Sequence, residues 1–153
     1  MREANPLIVE PARLMHEEKM DFLETSERKK HMIDHLELLV QDPKKSAEFY
    51  AGALRPLGYA LHVEGPSIGF GTSADVLDFW LKAGGPSMPL PHFAFNCGTR
   101  ALVDLCYRAA LASGGKDSRA PALMPRIHDN YYAGFVFDRD GHSLEFVCHS
   151  PEA

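Results

Sequence analysis

The chain repeats itself. Setting residue 35 over residue 92 aligns HLELLVQDPKKSAEFYAGALRPLG with HFAFNCGTRALVDLCYRAALASGG, and His35/His92, Tyr50/Tyr107, Ala53/Ala110, Leu54/Leu111 and Gly58/Gly115 coincide. A duplication constrains a fold more than local propensity does, because both copies must build the same unit. The layout agrees: a short apolar strand, a turn, an amphipathic helix and a glycine. In the first copy Asp42 is placed to cap the helix with Pro43 at its first position. Ala47, Tyr50, Ala53, Leu54 and Leu57 then recur at helical spacing until Gly58 stops the helix. In the second, Thr99 is the expected cap, and Leu102, Val103, Cys106, Ala110 and Leu111 make the buried stripe before Gly114 and Gly115. Downstream, GFGTSADVLDFWL parallels GFVFDRDGHSLEFVC, whose turn is two residues longer, so Leu77-Asp78-Phe79 falls on Leu144-Glu145-Phe146. A strand–helix–strand–strand–strand unit is thus expected twice, over about 32–83 and 88–150, which makes an α+β fold. Its sixth strand is faintly written in KDSRAPALMPRIHDN.

Alternation assigns the faces of these strands. Leu36, Leu38 and Val40 share a side, as do Leu77, Phe79 and Leu81, Phe93, Phe95 and Cys97, and Leu144, Phe146 and Cys148. Four apolar rows suit packing under the two helices. The opposite, concave side receives His35, Asp78, His92 and Glu145. An acid within an apolar strand is costly to bury as a charge unless something pairs it. Two imidazoles and two carboxylates converging there would make a mixed nitrogen–oxygen site for a divalent transition metal. The competing reading is ordinary: a strand histidine that is only hydrogen-bonded, and an acid that meets solvent.

With 45 % hydrophobic residues the 153-residue chain can bury a proper core, and disorder is not expected. A formal net charge of −5 excludes an electrostatic nucleic-acid binder. Cys97, Cys106 and Cys148 lie in apolar surroundings at wide spacing, which argues for inert core thiols in a reducing compartment. No apolar run approaches a membrane span, and the N-terminus is too acidic for a secretory signal, so a cytoplasmic location is expected. Residues 1–31, charged and helix-prone with Leu14, Met15, Phe22 and Leu23, are expected to form a helical N-terminal extension packed on the sheet edge or on a partner subunit.

Three stretches, MIDHLELLVQDPKKSAEFYAGALRPLGY, PHFAF and NYYAGFVFDRDGHSLEFVCH, resemble the vicinal oxygen chelate superfamily, which groups glyoxalases, extradiol dioxygenases, and fosfomycin- and bleomycin-resistance proteins. The resemblance covers about residues 32–150. It implies paired βαβββ modules forming a curled mixed sheet around a concave metal and ligand cleft, within one chain or by exchange in a homodimer. His35, Asp78, His92 and Glu145 fall on the four ligand positions of glyoxalase-like members, with Asp78 shorter than the usual glutamate or histidine there. Dioxygenase-like members need only His35, His92 and Glu145. The implied cofactor is a divalent ion, Zn, Ni, Co, Mn or Fe, chelating adjacent oxygens of a small oxygenated substrate and stabilising enolate or oxyanion charge. Bleomycin-resistance members bind without metal, so fold alone does not fix function.

The superfamily's chemistry requires a base near the metal. Glu37, on the face of His35, is one candidate, or equally a rim acid, and Glu145 is another, acting by leaving the metal. Trp80, Asn96 and His149 share the concave face, and the loop PRIHDNYY offers Arg126, His128 and Tyr132. These six are the candidate substrate contacts. For Arg126 a plain surface position, and for Tyr132 a core aromatic, are the alternatives. The expected activity is a lyase or isomerase, with an iron-dependent dioxygenase or a metal-free small-molecule binder as the competing readings.

Overall fold

The structure, a computed structural model, describes residues 33–86 and 88–152. The expected N-terminal helix lies outside the described residues. The elements below all belong to the unit His35–Ala153. In chain order they are β1 (Leu36–Val40), α1 (Pro43–Leu54), a 3-10 turn (Arg55–Leu57), β2 (Ala60–Val63), β3 (Ser67–Ser73) and β4 (Val76–Ala83). Then come β5 (His92–Asn96), α2 (Arg100–Ala112), β6 (Lys116–Leu123), β7 (Tyr132–Phe137) and β8 (Ser143–Cys148). The unit is therefore built twice, β6 included. Among the described residues no helix is long and apolar enough to cross a membrane.

Local chemistry starts both helices where the sequence places them. Asp42 accepts from the Lys45 amide at 3.2 Å and Thr99 Oγ1 accepts from the Leu102 amide at 3.1 Å, each satisfying a donor that the first turn leaves orphaned. Gly58 closes the first helical segment at φ 79°, a left-handed conformation that costs glycine nothing.

Two mixed sheets result, ordered β1-β4-β3-β2 and β5-β8-β7-β6. In each, the first pair is parallel and the others antiparallel. This is the paired βαβββ architecture expected from the repeat, its strands divided between two open sheets with β1 and β5 each at an edge. Both contribute to one core. Phe49, Tyr50 and Leu54 of α1 and Val103, Cys106 and Ala110 of α2 are buried together with Phe70, Phe79, Leu144 and Phe146. Phe79 meets Phe95 edge-on at 5.7 Å, an arrangement aromatic quadrupoles favour. The three cysteines are buried and unpaired by disulfides, as their apolar settings imply.

The two modules differ in register, and this matters for the site. In the second, Phe93 lies beside Leu144 and Ala94 beside Glu145. In the first, Leu36 lies beside Phe79 and Glu37 beside Trp80. Since Glu37 and Ala94 are repeat equivalents, the residue occupying the place of Glu145 in the first sheet is Trp80, two positions beyond Asp78. Pairing of β3 with β4 also slips, from Phe70↔Phe79 to Gly71↔Leu77, leaving Asp78 as the extra residue of a bulge. Strict alternation fails there.

All five tyrosines donate their hydroxyls to carboxylates. The pairs are Tyr50–Asp138 at 2.6 Å, Tyr59–Asp78 at 2.8 Å, Tyr107–Asp117 at 2.7 Å, Tyr131–Glu145 at 2.6 Å and Tyr132–Asp104 at 2.8 Å.

Candidate functional site

Side-by-side residues of neighbouring strands point the same way, so the non-core face of the second sheet can be read from its pairing. It carries His92, Ala94 and Asn96 on β5, Ser143, Glu145 and Val147 on β8, and Phe135 and Ala133 on β7. Glu145 is 3 % exposed, yet both its oxygens are engaged. Oε1 accepts the Tyr131 hydroxyl at 2.6 Å, and Oε2 lies 3.0 Å from His92 Nε2. His92 is itself fixed on two sides. Its Nδ1 is 2.9 Å from Ser143 Oγ, and its ring lies against Phe135 with centroids 5.9 Å apart. Desolvation, then the hydrogen bond to Glu145, pushes the Tyr131 hydroxyl up to about 12, so it is a donor at neutral pH.

Tyr131 ends the loop between β6 and β7. Three backbone bonds close that loop on itself: Met124 N–H to Tyr131 O at 2.7 Å, Ile127 N–H to Met124 O at 2.9 Å, and Tyr131 N–H to His128 O at 3.0 Å. Met124, Ala133 and Val147 form a small buried cluster beneath it, with Tyr131 and Phe135 at its margin. His128 and His149 meet at the rim, Nε2 to Nδ1 at 2.9 Å.

His92, Glu145, His128 and His149 thus lie on one side of the second sheet. The other candidates do not gather there. Asp78 gives one oxygen to Tyr59, and its Oδ1 is buried without a partner. Trp80 covers Gly69, where a Cβ would come within 2.8 Å of its ring. Glu37 pairs with Lys82 at 3.6 Å. His35 is exposed just ahead of β1, in the first module. Asn96 is exposed beside Val147, and Arg126 is exposed on the loop. Tyr132 is a correction to the expected pocket lining: it turns to the helix side, donating to Asp104 of α2 under the Arg100 guanidinium, 5.6 Å above its ring. Tyr131 takes the position that Tyr132 was expected to fill. Counting back in twos from Phe135 reaches Tyr131, a signal that alternation carries in the sequence.

Among the described residues, the one group of three or more histidine, cysteine or acidic side chains with ligand atoms within 4.8 Å of each other is Asp138, Asp140 and His142. Its geometry is that of a saturated turn. Asp138 Oδ1 accepts from the amides of Asp140 at 3.0 Å and His142 at 2.8 Å, and Oδ2 faces the Tyr50 hydroxyl and His142 Nδ1 at 2.6 and 2.7 Å. A carboxylate has about four lone-pair sites, and all are occupied.

The family model described as Glyoxalase/Bleomycin resistance protein/Dioxygenase superfamily matches residues 32–146. Among solved structures, a glyoxalase/bleomycin resistance protein from Albidiferax ferrireducens is 21 % identical with a TM-score of 0.65, over 77 % of this chain and 99 % of that one. The fosfomycin resistance protein FosX from Mesorhizobium loti is 15 % identical with a TM-score of 0.58, over 76 % and 90 %. A mutant FosX from Listeria monocytogenes, complexed with Mn(II) and a dihydroxypropylphosphonic acid, is 17 % identical with a TM-score of 0.57, over 74 % and 86 %. No curated protein matches. The chain belongs to the glyoxalase/bleomycin resistance/dioxygenase superfamily.

Proposed function

We propose that the protein is a divalent-metal-dependent enzyme acting on a small oxygenated molecule, with His92 Nε2 and Glu145 Oε2 as two of the metal's ligands. The observation that carries this is their facing geometry. Two potential ligand atoms lie 3.0 Å apart on one face, while the other atom of each side chain is held from behind, by Ser143 and by Tyr131. Such outer hydrogen bonds fix the tautomer and orientation of ligands in metal sites. An imidazole and a carboxylate suit Zn, Ni, Co, Mn or Fe. A bound ion would supply Lewis acidity toward two adjacent oxygens of the substrate. The Listeria neighbour, complexed with Mn(II) and a dihydroxylated ligand, supports that choice of chemistry.

His35 is the third candidate ligand. It belongs to the other module and does not join His92 and Glu145 in one close group. A homodimer in which His35 of a second copy faces this sheet would complete the set. With Trp80 rather than Asp78 in the place that matches Glu145, that set would be two histidines and one carboxylate, the ligand set of iron-dependent oxygenases. Oxygen uptake with a catechol therefore separates a dioxygenase from a lyase or isomerase.

A second reading has its own support. If His92 donates Nε2–H directly to Glu145, both groups are satisfied with no ion, as a metal-free binding protein would need. Metal titration of wild type and Glu145→Gln decides. The glutamine keeps an oxygen for Tyr131 but loses the charge, so the metal reading expects affinity to fall tenfold or more, about 1.4 kcal/mol. Equal metal binding by both proteins, or none by either, would refute it.

A further inference from the structure

We infer that Tyr131 is a positioning residue that commits Glu145 to ligation through a single oxygen, and that His128 and His149 hold its ring in place. This rests on the metal reading above. It adds three residues of this chain and excludes one role for a fourth.

One donor in this cluster is unambiguous. The Asn130 amide donates to His128 Nδ1 at 3.2 Å, so that nitrogen carries no proton and the neutral ring is protonated at Nε2. Nε2 lies 2.9 Å from His149 Nδ1, which must then accept. One backbone N–H thereby orients both rings, and the direction of the bond between them is fixed. The ring planes differ by 23° with centroids 5.2 Å apart. With the nitrogens only 2.9 Å apart, that separation places the rings end to end rather than face to face. The result is a rigid strut from the loop to the end of β8.

Tyr131 stands against that strut. Its ring meets His128 at 79° and 5.4 Å and His149 at 83° and 5.2 Å, edge contacts on both members. Its backbone is held too, by the bonds of Met124 and His128 that close the loop. The hydroxyl has little freedom left, and it lands on Glu145 Oε1. Oε2 is then the oxygen that remains beside His92. A carboxylate pinned in this way is a stable one-oxygen ligand, and it is poorly placed to swing off the metal and take a proton. The base must be sought elsewhere.

The test uses Co(II) alone, read by affinity and by visible absorption, in wild type, Tyr131→Phe, His149→Leu and His149→Asn. Phenylalanine keeps the ring and loses the donor. Affinity should fall about tenfold, within the range for losing an outer-sphere partner. The cobalt band should weaken as the freed second oxygen joins and coordination number rises. His149→Leu should move in the same direction, whereas His149→Asn, whose oxygen stands where Nδ1 does but which has no ring to meet Tyr131, should recover only part of the loss. In nitrogen-15 spectra of the metal-free protein both rings should be in the Nε2–H form. Wild-type affinity and spectrum in Tyr131→Phe, or an Nδ1–H form at His128, overturns the inference while the metal reading stands. Failure of wild type to bind Co(II) overturns both.

Discussion

Asp138 is where removal of a few atoms should cost most. It is 4 % exposed and His142 and Tyr50 are fully buried, so its four hydrogen bonds are made out of contact with water. Hydrogen bonds to a charged group contribute about 1.5–3 kcal/mol each, and a buried donor left without an acceptor costs about 1–3 kcal/mol. Tyr50→Phe removes one donor and leaves Asp138 three, so it should destabilise by about 1.5–3 kcal/mol. Asp138→Asn keeps one oxygen for the Asp140 and His142 amides but puts an NH₂ group against the Tyr50 hydroxyl and His142 Nδ1. It should cost about 2–4 kcal/mol, a large share of the 5–15 kcal/mol typical of a domain. In the Asp138→Asn background Tyr50→Phe should cost much less, because the charge-assisted bond it removes is already lost and only a neutral contact from the asparagine NH₂ to the phenol oxygen can replace it. Urea unfolding of both single mutants and the double, all in chelator, gives the coupling energy directly. Additive single-mutant effects would refute the network, as would a Tyr50→Phe protein within about 0.5 kcal/mol of wild type.

Three further outcomes are expected. Tyr107, Tyr131 and Tyr132 are each pushed from 10.0 to about 12, Tyr107 chiefly by its bond to Asp117 and the other two chiefly by desolvation, and Tyr50 and Tyr59 are raised as well. The folded state therefore keeps protons that the unfolded chain releases near pH 10, so stability should be full below pH 10 and fall as pH rises toward 12. Phenolate absorbance of the native protein should stay low until the same range, and a normal titration near 10 would contradict the hydroxyl–carboxylate pairs. Thr99→Ala should cost about 1 kcal/mol by uncapping α2, and Thr99→Ser should retain most of it in urea unfolding. Gly71→Ala would drive a Cβ into the Val76 carbonyl oxygen, so it should cost about 2–3 kcal/mol. Gly65→Ala, whose nearest neighbour would be 3.9 Å away, should melt like wild type.

The duplication and both helices could be read from sequence because their signals are local. Asp42, Pro43 and Thr99 start the helices, and the apolar stripes repeat every three or four residues. His92 and Glu145 were legible for a related reason: β5 and β8 obey strict alternation without a bulge. Their counterpart on β4 was not. A slip of two residues leaves every apolar side chain on its original face, so Leu77-Asp78-Phe79 and Phe79-Trp80-Leu81 fit the pattern of Leu144-Glu145-Phe146 equally well. Only pairing with β1 distinguishes them, and it chooses Trp80. The bulge at Asp78 is equally silent, because it arises between strands. Tyr131 and Tyr132 are a different case. Adjacent and chemically identical, they go to opposite faces, and the strand's phase decides between them rather than any property of tyrosine.

The pairing of phenols with acids has a consequence for salt. A chain with a net charge of −5 has more carboxylates than cations to hold them, and here a neutral donor serves five of those acids. Dissolved ions screen attraction between full opposite charges, as at the exposed pairs Lys45–Asp42 and Lys82–Glu37. They have far less to screen in a short bond between a hydroxyl and a carboxylate, which is strong because of contact geometry rather than reach. What added salt does weaken is the mutual repulsion of the surplus negative charge. Raising ionic strength should therefore firm this fold slightly instead of loosening it, and the five tyrosines are why an acidic protein can tolerate losing its ion pairs.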